Sequence, residues 1–355
     1  MKKIIAALPL LLLAVVSCDK KDENATFKND LKAYNLNGNV KSVSEKSYVI
    51  VGGDAVGGLQ RENSATYDID LEFDKNKQLV SEKSYLSDGK LYWSKTFEFK
   101  DRMLTHEEFL PNDVVYKTKY TFEGDHNTII SKRDKDGKQI HRTVNTFEKG
   151  NLTQKRVYDN NDQLIEHYTY KFDKDGNVIQ AIRQNEYEIL YTDVYAYDNK
   201  KNKVSEARLD KTGKPSYKNV MTYKDSLLIS SASLNPEGKQ VSIEKRSYDK
   251  KGNIINKSME DLENNMYSKE SYRYDAKGNL LEWILYEGNS KVQHIINEYD
   301  GHDNLVSVKR TDKDGTVQEN RKYIYEYDEQ GNWIRKNIIN NDMPVFVLQR
   351  KIAYY

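Results

Sequence analysis

Beyond the first eighteen residues, apolar and polar positions alternate in short runs broken by turn-forming residues. Tyr170 precedes Phe172 by two places, and the same spacing relates Tyr195 to Tyr197, Tyr272 to Tyr274 and Tyr325 to Tyr327. Lys171, Arg273 and Glu326 stand between such pairs. Side chains two apart share one face of a strand, so each run predicts a strand with an aromatic face and a polar face. No segment after Cys18 keeps a helical period for a useful length. The pattern therefore predicts an all-β chain with no helical layer to cover the aromatic face.

The runs repeat. Phe172-Asp173-Lys174-Asp175-Gly176-Asn177-Val178-Ile179, Tyr248-Asp249-Lys250-Lys251-Gly252-Asn253-Ile254-Ile255, Tyr274-Asp275-Ala276-Lys277-Gly278-Asn279-Leu280-Leu281 and Tyr327-Asp328-Glu329-Gln330-Gly331-Asn332-Trp333-Ile334 share one form. Looser copies start at Phe73, Phe99, Phe122, Phe147, Tyr197, Tyr223 and Tyr299. Successive aromatic anchors lie 26, 23, 25, 25, 25, 26, 25, 26, 25 and 28 residues apart. Such a register marks a structural repeat.

Each period holds a second turn near its middle, such as Ser87-Asp88-Gly89-Lys90, Asp134-Lys135-Asp136-Gly137-Lys138, Asp210-Lys211-Thr212-Gly213-Lys214 and Asp312-Lys313-Asp314-Gly315-Thr316. Early Asp with Gly at the left-handed position suits a type I turn closed by a glycine bulge. Two turns per unit leave two strands, and eleven units give roughly 22 strands in an antiparallel meander. Laid side by side at about 4.8 Å they would extend about 100 Å, and a sheet that wide twists and curls. The expected architecture is a superhelical or partly closed sheet with an aromatic ladder on its inner face. The stretch from Leu36 to Val43, with the loop Gly52-Gly53-Asp54-Ala55-Val56-Gly57-Gly58, reads as an atypical first hairpin capping the open edge.

The N-terminus adds an address. Lys2 and Lys3 precede an apolar run from Ile4 to Val16, too short to span a bilayer comfortably. Val15-Val16-Ser17-Cys18 resembles the lipobox of bacterial lipoproteins, and Cys18 is the single cysteine. That resemblance implies cleavage before Cys18 and its acylation, a membrane anchor that leaves no thiol for disulfides, zinc or nucleophilic work. The charged stretch Asp19-Lys20-Lys21-Asp22-Glu23-Asn24 is similar to the export signal of Bacteroidetes surface lipoproteins, implying an outer-membrane protein exposed at the cell surface or facing the periplasm. The expected organisation is a signal peptide at 1–17, a flexible tether at 18–33, a capping hairpin at 34–72 and the repeat array at 73–355.

With 56 basic and 55 acidic residues the chain lacks the basic excess of a nucleic-acid binder. Its 27 tyrosines argue for order despite low hydrophobicity.

The iterated Tyr-Asp-x-x-Gly-Asn motif resembles the YD-repeat, or Rhs-repeat, family over roughly Phe73 to Ile334. The resemblance implies curling β-sheets, which in some members form shells around a toxin domain, and cell-surface roles that include carbohydrate binding. Tyr354-Tyr355 reads as the end of a last strand, and with no toxin or self-cleaving segment read after it, a toxin-cage role is not the expectation.

Candidate chemistry is sparse. The Gly-rich loop lacks the Lys-Ser/Thr of a phosphate-binding loop. Asp-x-Asp-Gly also opens calcium loops, but an EF-hand needs a closing Glu between two helices, and turn chemistry alone calls for Asp and Gly. The histidines His106, His126, His141, His167, His294 and His302 fall at differing phases of the repeat, with no metal spacing. His106-Glu107-Glu108 is the one suggestive cluster, and no nucleophile-base grouping recurs. Asp225-Ser226-Leu227 resembles a Bacteroidetes O-glycosylation acceptor, although a plain turn explains it as well. Trp93, Trp283 and Trp333 are candidates for stacking on sugar rings, weighed against a structural role. The sequence thus leads to a non-enzymatic, lipid-anchored envelope protein that binds or scaffolds an unknown protein or glycan, without cofactor, metal or nucleic acid. A glycan-binding surface module is the alternative, and a toxin-immunity role comes third.

Overall fold

The computed structural model describes residues 30–50, 59–61, 68–100, 103–110, 114–124 and 126–355. The signal peptide, Cys18, the tether up to residue 29 and the Gly-rich loop lie outside these. A 3-10 turn at Asp30–Tyr34 opens the described chain, across the boundary between the expected tether and the expected capping hairpin.

Everything after it is strand and turn. The first strands are β1 (Val40–Ile50), β2 (Leu59–Arg61), β3 (Asp68–Phe73), β4 (Leu79–Tyr85), β5 (Leu91–Lys100), β6 (Met103–Leu110), β7 (Val114–Glu123) and β8 (His126–Asp134). They are followed by β9 (Gln139–Glu148), β10 (Asn151–Tyr158), β11 (Leu164–Phe172), β12 (Val178–Gln184), β13 (Ile189–Tyr197), β14 (Lys203–Asp210), β15 (Pro215–Lys224), β16 (Leu227–Leu234) and β17 (Gln240–Tyr248). The last are β18 (Ile254–Asp261), β19 (Met266–Tyr274), β20 (Leu280–Glu287), β21 (Ser290–Tyr299), β22 (Leu305–Asp312), β23 (Val317–Tyr327), β24 (Trp333–Asn340) and β25 (Met343–Tyr354).

From β3 to β25 each strand pairs antiparallel with the next, as the alternating turns predict. The expected open or superhelical sheet is not what forms. β1 pairs along one edge with β25, from Val40↔Tyr354 to Val49↔Phe346, and along its other edge with β3 and β2. The sheet is therefore a closed barrel. Because β2 and β3 follow one another along the same edge of β1, the ring has 24 strand positions among the described residues. The first hairpin does not cap an edge; β1 joins the two ends of the array, which pairs the two long edges an open sheet would present. At about 4.8 Å per strand the wall measures about 115 Å around, so roughly 37 Å across before tilt widens it.

Which face lines the lumen follows from exposure. On β23, Lys322, Ile324 and Glu326 are exposed, while Tyr323, Tyr325 and Tyr327 between them are not. In a closed sheet, side chains converge on the concave side and splay on the convex side. The aromatic face is thus the inner one. The Asp30–Tyr34 turn also packs on it.

The apolar core is not in the middle of the molecule. Leu31, Leu36, Val40, Val43, Leu71 and Phe73 form one buried cluster where β1 meets β3, with Tyr34 and Tyr354 against it. Around the rest of the ring the lumenal aromatics stay partly exposed. A cylinder this wide cannot bring opposite walls into contact, so hydrogen bonding and neighbour-to-neighbour packing hold the wall. Hydrophobic burial is concentrated at the seam.

Candidate functional site

The turns account for the repeat motif atom by atom. In Tyr248-Asp249-Lys250-Lys251-Gly252-Asn253, Asp249 Oδ1 accepts the backbone N–H of Lys251 and of Asn253, at 2.8 and 2.9 Å. Its Oδ2 accepts the Asn253 side-chain amide at 2.9 Å. Gly252 takes a φ of +87°, a backbone conformation an L side chain rarely adopts. The sets Asp173/Asn177, Asp198/Asn202 and Asp275/Asn279 repeat this geometry. In Asp173, Asp198 and Asp249 the side-chain bond from Asn leads the hydrogen bonds that hold the carboxyl below the usual range. Both oxygens of each carboxylate are committed to its own turn. The Asp225-Ser226 pair is a tight turn with both residues at positive φ.

Anchors also tie one repeat to the one before. The hydroxyls of Tyr197, Tyr223 and Tyr248 donate to the carbonyls of Val178, Lys203 and Leu228, at 2.9, 3.0 and 2.7 Å. Tyr327 donates to the Asp300 carboxylate and accepts from Asn304 at 2.9 Å. Tyr354 does the same with Asp328 and with Asn332, the latter at 2.7 Å.

Across the lumenal face the expected aromatic ladder takes another form. Rings meet along a strand, as in Tyr168–Tyr170 at 6.3 Å and Tyr325–Tyr327 at 6.0 Å. Across strands they alternate with cations. Lys155, Tyr168, Arg183, Tyr191, Arg208 and Tyr217 stand on consecutive strands β10 to β15, each cation over a neighbouring ring, the closest being Arg208 at 3.8 Å from the Tyr191 centroid. The reason is spacing: only one strand of each hairpin carries the aromatic pair, so rings on like strands are about 9.6 Å apart, and the strand between them supplies the cation.

Carboxylates balance these cations. Arg208 meets Asp193 at 2.8 Å, Lys257 lies between Glu244 and Glu270 at 3.7 and 3.4 Å, and Glu319 takes Arg310 and Arg321 at 3.3 and 3.2 Å. Arg183 pairs with Glu166. Lys336 has no carboxylate within ion-pair distance among the described residues; its ammonium sits 4.4 Å from the Tyr323 centroid, and burial pushes its pKa down. Such a lining offers charge and ring contacts to whatever enters the lumen. The cations went unnoticed in the sequence, yet a signal was there. Lys132, Lys155, Arg183, Arg208, Lys257, Arg310 and Lys336 all occupy the aromatic face of an even-numbered strand.

The three candidate tryptophans are all on this face but not together, standing on β5, β20 and β24. Arg350 covers the Trp333 ring at 3.5 Å, so that ring is already stacked. Trp283 donates its indole N–H to Glu270 at 2.8 Å. Lys95 lies 5.4 Å from the Trp93 centroid. His106 stacks on Phe97 at 4.7 Å with its Nε2 3.7 Å from Glu108, and burial pushes its imidazole pKa down; Glu107 points to the other face. No group of three or more His, Cys, Asp or Glu side chains among the described residues could hold a metal.

The outer wall is polar at mid-height. Lys119, Lys245, Lys309 and Lys322 are exposed there on strands around the ring. A lipid-facing wall needs an apolar band about 25 Å tall. Among the described residues no band of that height runs around the wall. Among the described residues no helix is long and apolar enough to cross a membrane.

Fold and face define a class: a closed antiparallel barrel built of tandem hairpins, with a ring-and-cation lumen. Among solved structures the chain is similar to TcdB2-TccC3-Cdc42, at 11% identity and a TM-score of 0.33, over 78% of this chain and 18% of that one. It is similar to the Photorhabdus luminescens Tc holotoxin pore, at 11% identity and 0.30, over 79% and 19%. A porin-like protein from Bacteroides uniformis matches at 10% identity and 0.20, over 90% and 99%. The chain spans less than a fifth of the first two. No family model and no curated protein matches the sequence.

Proposed function

We propose that this is a lipid-anchored envelope protein of the YD-repeat kind, from a Bacteroidetes-like surface system, that binds or scaffolds a partner without catalysis. One observation carries the reading: the barrel closes around a lumen lined by partly exposed rings and paired charges, a broad and uniform surface built from the same hairpin many times. Repeat walls favour extended recognition, because no single position is chemically set apart. Cys18 supplies the anchor in this reading, and the 3-10 turn at Asp30–Tyr34 brings the chain to the rim formed by the Tyr-Asp turns, where Asp30 accepts the Leu79 N–H at 2.9 Å.

Two measurements test it together. Labelled palmitate should enter the wild-type chain and not Cys18→Ala, which should leave the membrane fraction. Protease shaving of intact cells, compared with lysed cells, should remove the array only if it faces outward. A Cys18→Ala chain that still sediments with membranes would refute the anchor.

A further inference from the structure

The two rims of the barrel differ on the outer face. On β7, β9, β11, β13, β17 and β19, the outward residue next to the mid-repeat turn is Val115, Ile140, Ile165, Leu190, Val241 and Tyr267 respectively. The outward residue next to the Tyr-Asp turns on the same strands is Thr121, Thr146, Lys171, Ala196, Ser247 or Arg273. An apolar girdle thus runs along part of one rim only, broken by the outward Ser216 on β15 and Gln318 on β23. It is one side chain deep, far short of a membrane-spanning band.

Packing along the row leaves it partly open. Ile140 is 37% exposed, Ile165 48% and Leu190 36%, on β9, β11 and β13. At the tip of the β12–β13 turn Tyr187 is 88% exposed, with Ile189 beside it at 42%. The β10–β11 and β12–β13 turns carry Asp159, Asp162, Glu186 and Glu188 and no lysine or arginine, whereas the β8–β9 turn beside Ile140 carries Lys135 and Lys138, in a chain whose overall charge is near zero. Asp162 is met by Arg142 at 2.8 Å and Glu188 by Lys211 at 3.0 Å, which leaves Glu186 in the open beside Tyr187. A projecting tyrosine among aliphatic side chains and acids is the composition of a protein-binding hot spot.

We propose that this arc, from the β10–β11 turn and β11 to the β12–β13 turn, docks a polypeptide that presents basic and apolar side chains together. This rests on the reading of the barrel as a binding scaffold and gives that scaffold its contact surface. The open carboxylate of Glu186 beside Tyr187 complements a basic side chain and disfavours anionic lipid, so the occupant proposed is a protein segment. The arc lies at the rim opposite the Asp30–Tyr34 turn, the end at which the chain enters the barrel.

The test uses the purified full-length chain and an 18-residue amphipathic helical peptide of leucine and lysine, titrated calorimetrically. A leucine and glutamate twin, a serine and lysine twin, and phosphatidylglycerol vesicles serve as comparisons. The leucine and lysine peptide should bind at least tenfold more tightly than either twin. Tyr187→Ser and Ile165→Ser should each weaken it about tenfold, and Glu186→Gln should flatten its salt dependence. Ile324→Ser, exposed on the outer wall away from the girdle, should change nothing. Equal binding of the twins, loss with Ile324→Ser as large as with Tyr187→Ser, binding to vesicles alone, or no binding at all would each overturn the proposal. None of these outcomes touches the Cys18 anchor, which palmitate labelling reads independently.

Discussion

Arg350 on the last strand and Glu45 on the first meet at 2.8 Å although 305 positions separate them in the chain, and the same guanidinium lies over the Trp333 ring. Both side chains are only 16% exposed. This pair sits on the seam that turns an array into a barrel. Removing one partner strands the other in a poorly hydrated place. Glu45→Gln should therefore cost about 2 kcal/mol, below the range for fully buried pairs because some solvent reaches both groups. Urea unfolding of the variant checks this, and unchanged stability would mean that the pair does not hold the seam.

Phe73 gives a second, larger test of the same seam. It is 2% exposed in the only buried apolar cluster found among the described residues, whereas its repeat counterpart Phe172 is partly exposed. Phe73→Ala should cost about 3–4 kcal/mol. Phe172→Ala should cost about 1–2 kcal/mol, since less surface returns to water. Similar losses in thermal or urea unfolding would contradict a core localised at the seam.

The lateral lock between repeats can be read one hydroxyl at a time. Tyr327→Phe keeps the ring and deletes the group that bonds both Asp300 and Asn304. The expected loss is about 1 kcal/mol. Amide hydrogen exchange should speed up in the turn from Asp300 to Asn304, one repeat away in sequence. Uniform protection across both turns would argue against the lock.

Acid should loosen the turns in a defined window. The Asp173, Asp249 and Asp275 carboxyls titrate below the ordinary carboxylate range, with Asn and backbone hydrogen bonds favouring the ionised form. A pKa depressed in the folded state adds stability above the unfolded value of about 3.9, and that stability is lost as pH falls through the lower, folded value. Thermal unfolding should thus be nearly flat above pH ~5 and fall steeply below pH ~4. A triple Asp→Asn variant at these positions should melt lower at neutral pH and show a shallower acid slope. An equal slope would assign the acid response to other groups.

How much of this was legible beforehand differs by level. The hairpins were, because each is made by residues within five positions of one another: Asp binds the backbone two and four residues on, Gly takes the left-handed step, and Asn closes the carboxylate. The inward aromatic face followed from period-two alternation. The paired cations were written in the sequence as well, yet a basic residue on a strand has no distinguishing neighbour, and its recurrence shows only once the register is known. The girdle was hidden for the same reason. Ile140, Ile165 and Leu190 look like ordinary strand residues until the closed wall assigns them an outside and a rim.

The sequence by itself determined the repeat unit, the antiparallel order of strands and the two-faced wall, since each of these is a short-range matter of turn geometry and side-chain alternation. Only the tertiary structure decided that the wall closes. Closure depends on the sum of many small strand-to-strand rotations, and on whether the first strand fits between the last and its own neighbour. The residues that make that fit, Val40 to Val49 against Phe346 to Tyr354, carry no local mark of it. No short stretch of chain encodes a circumference.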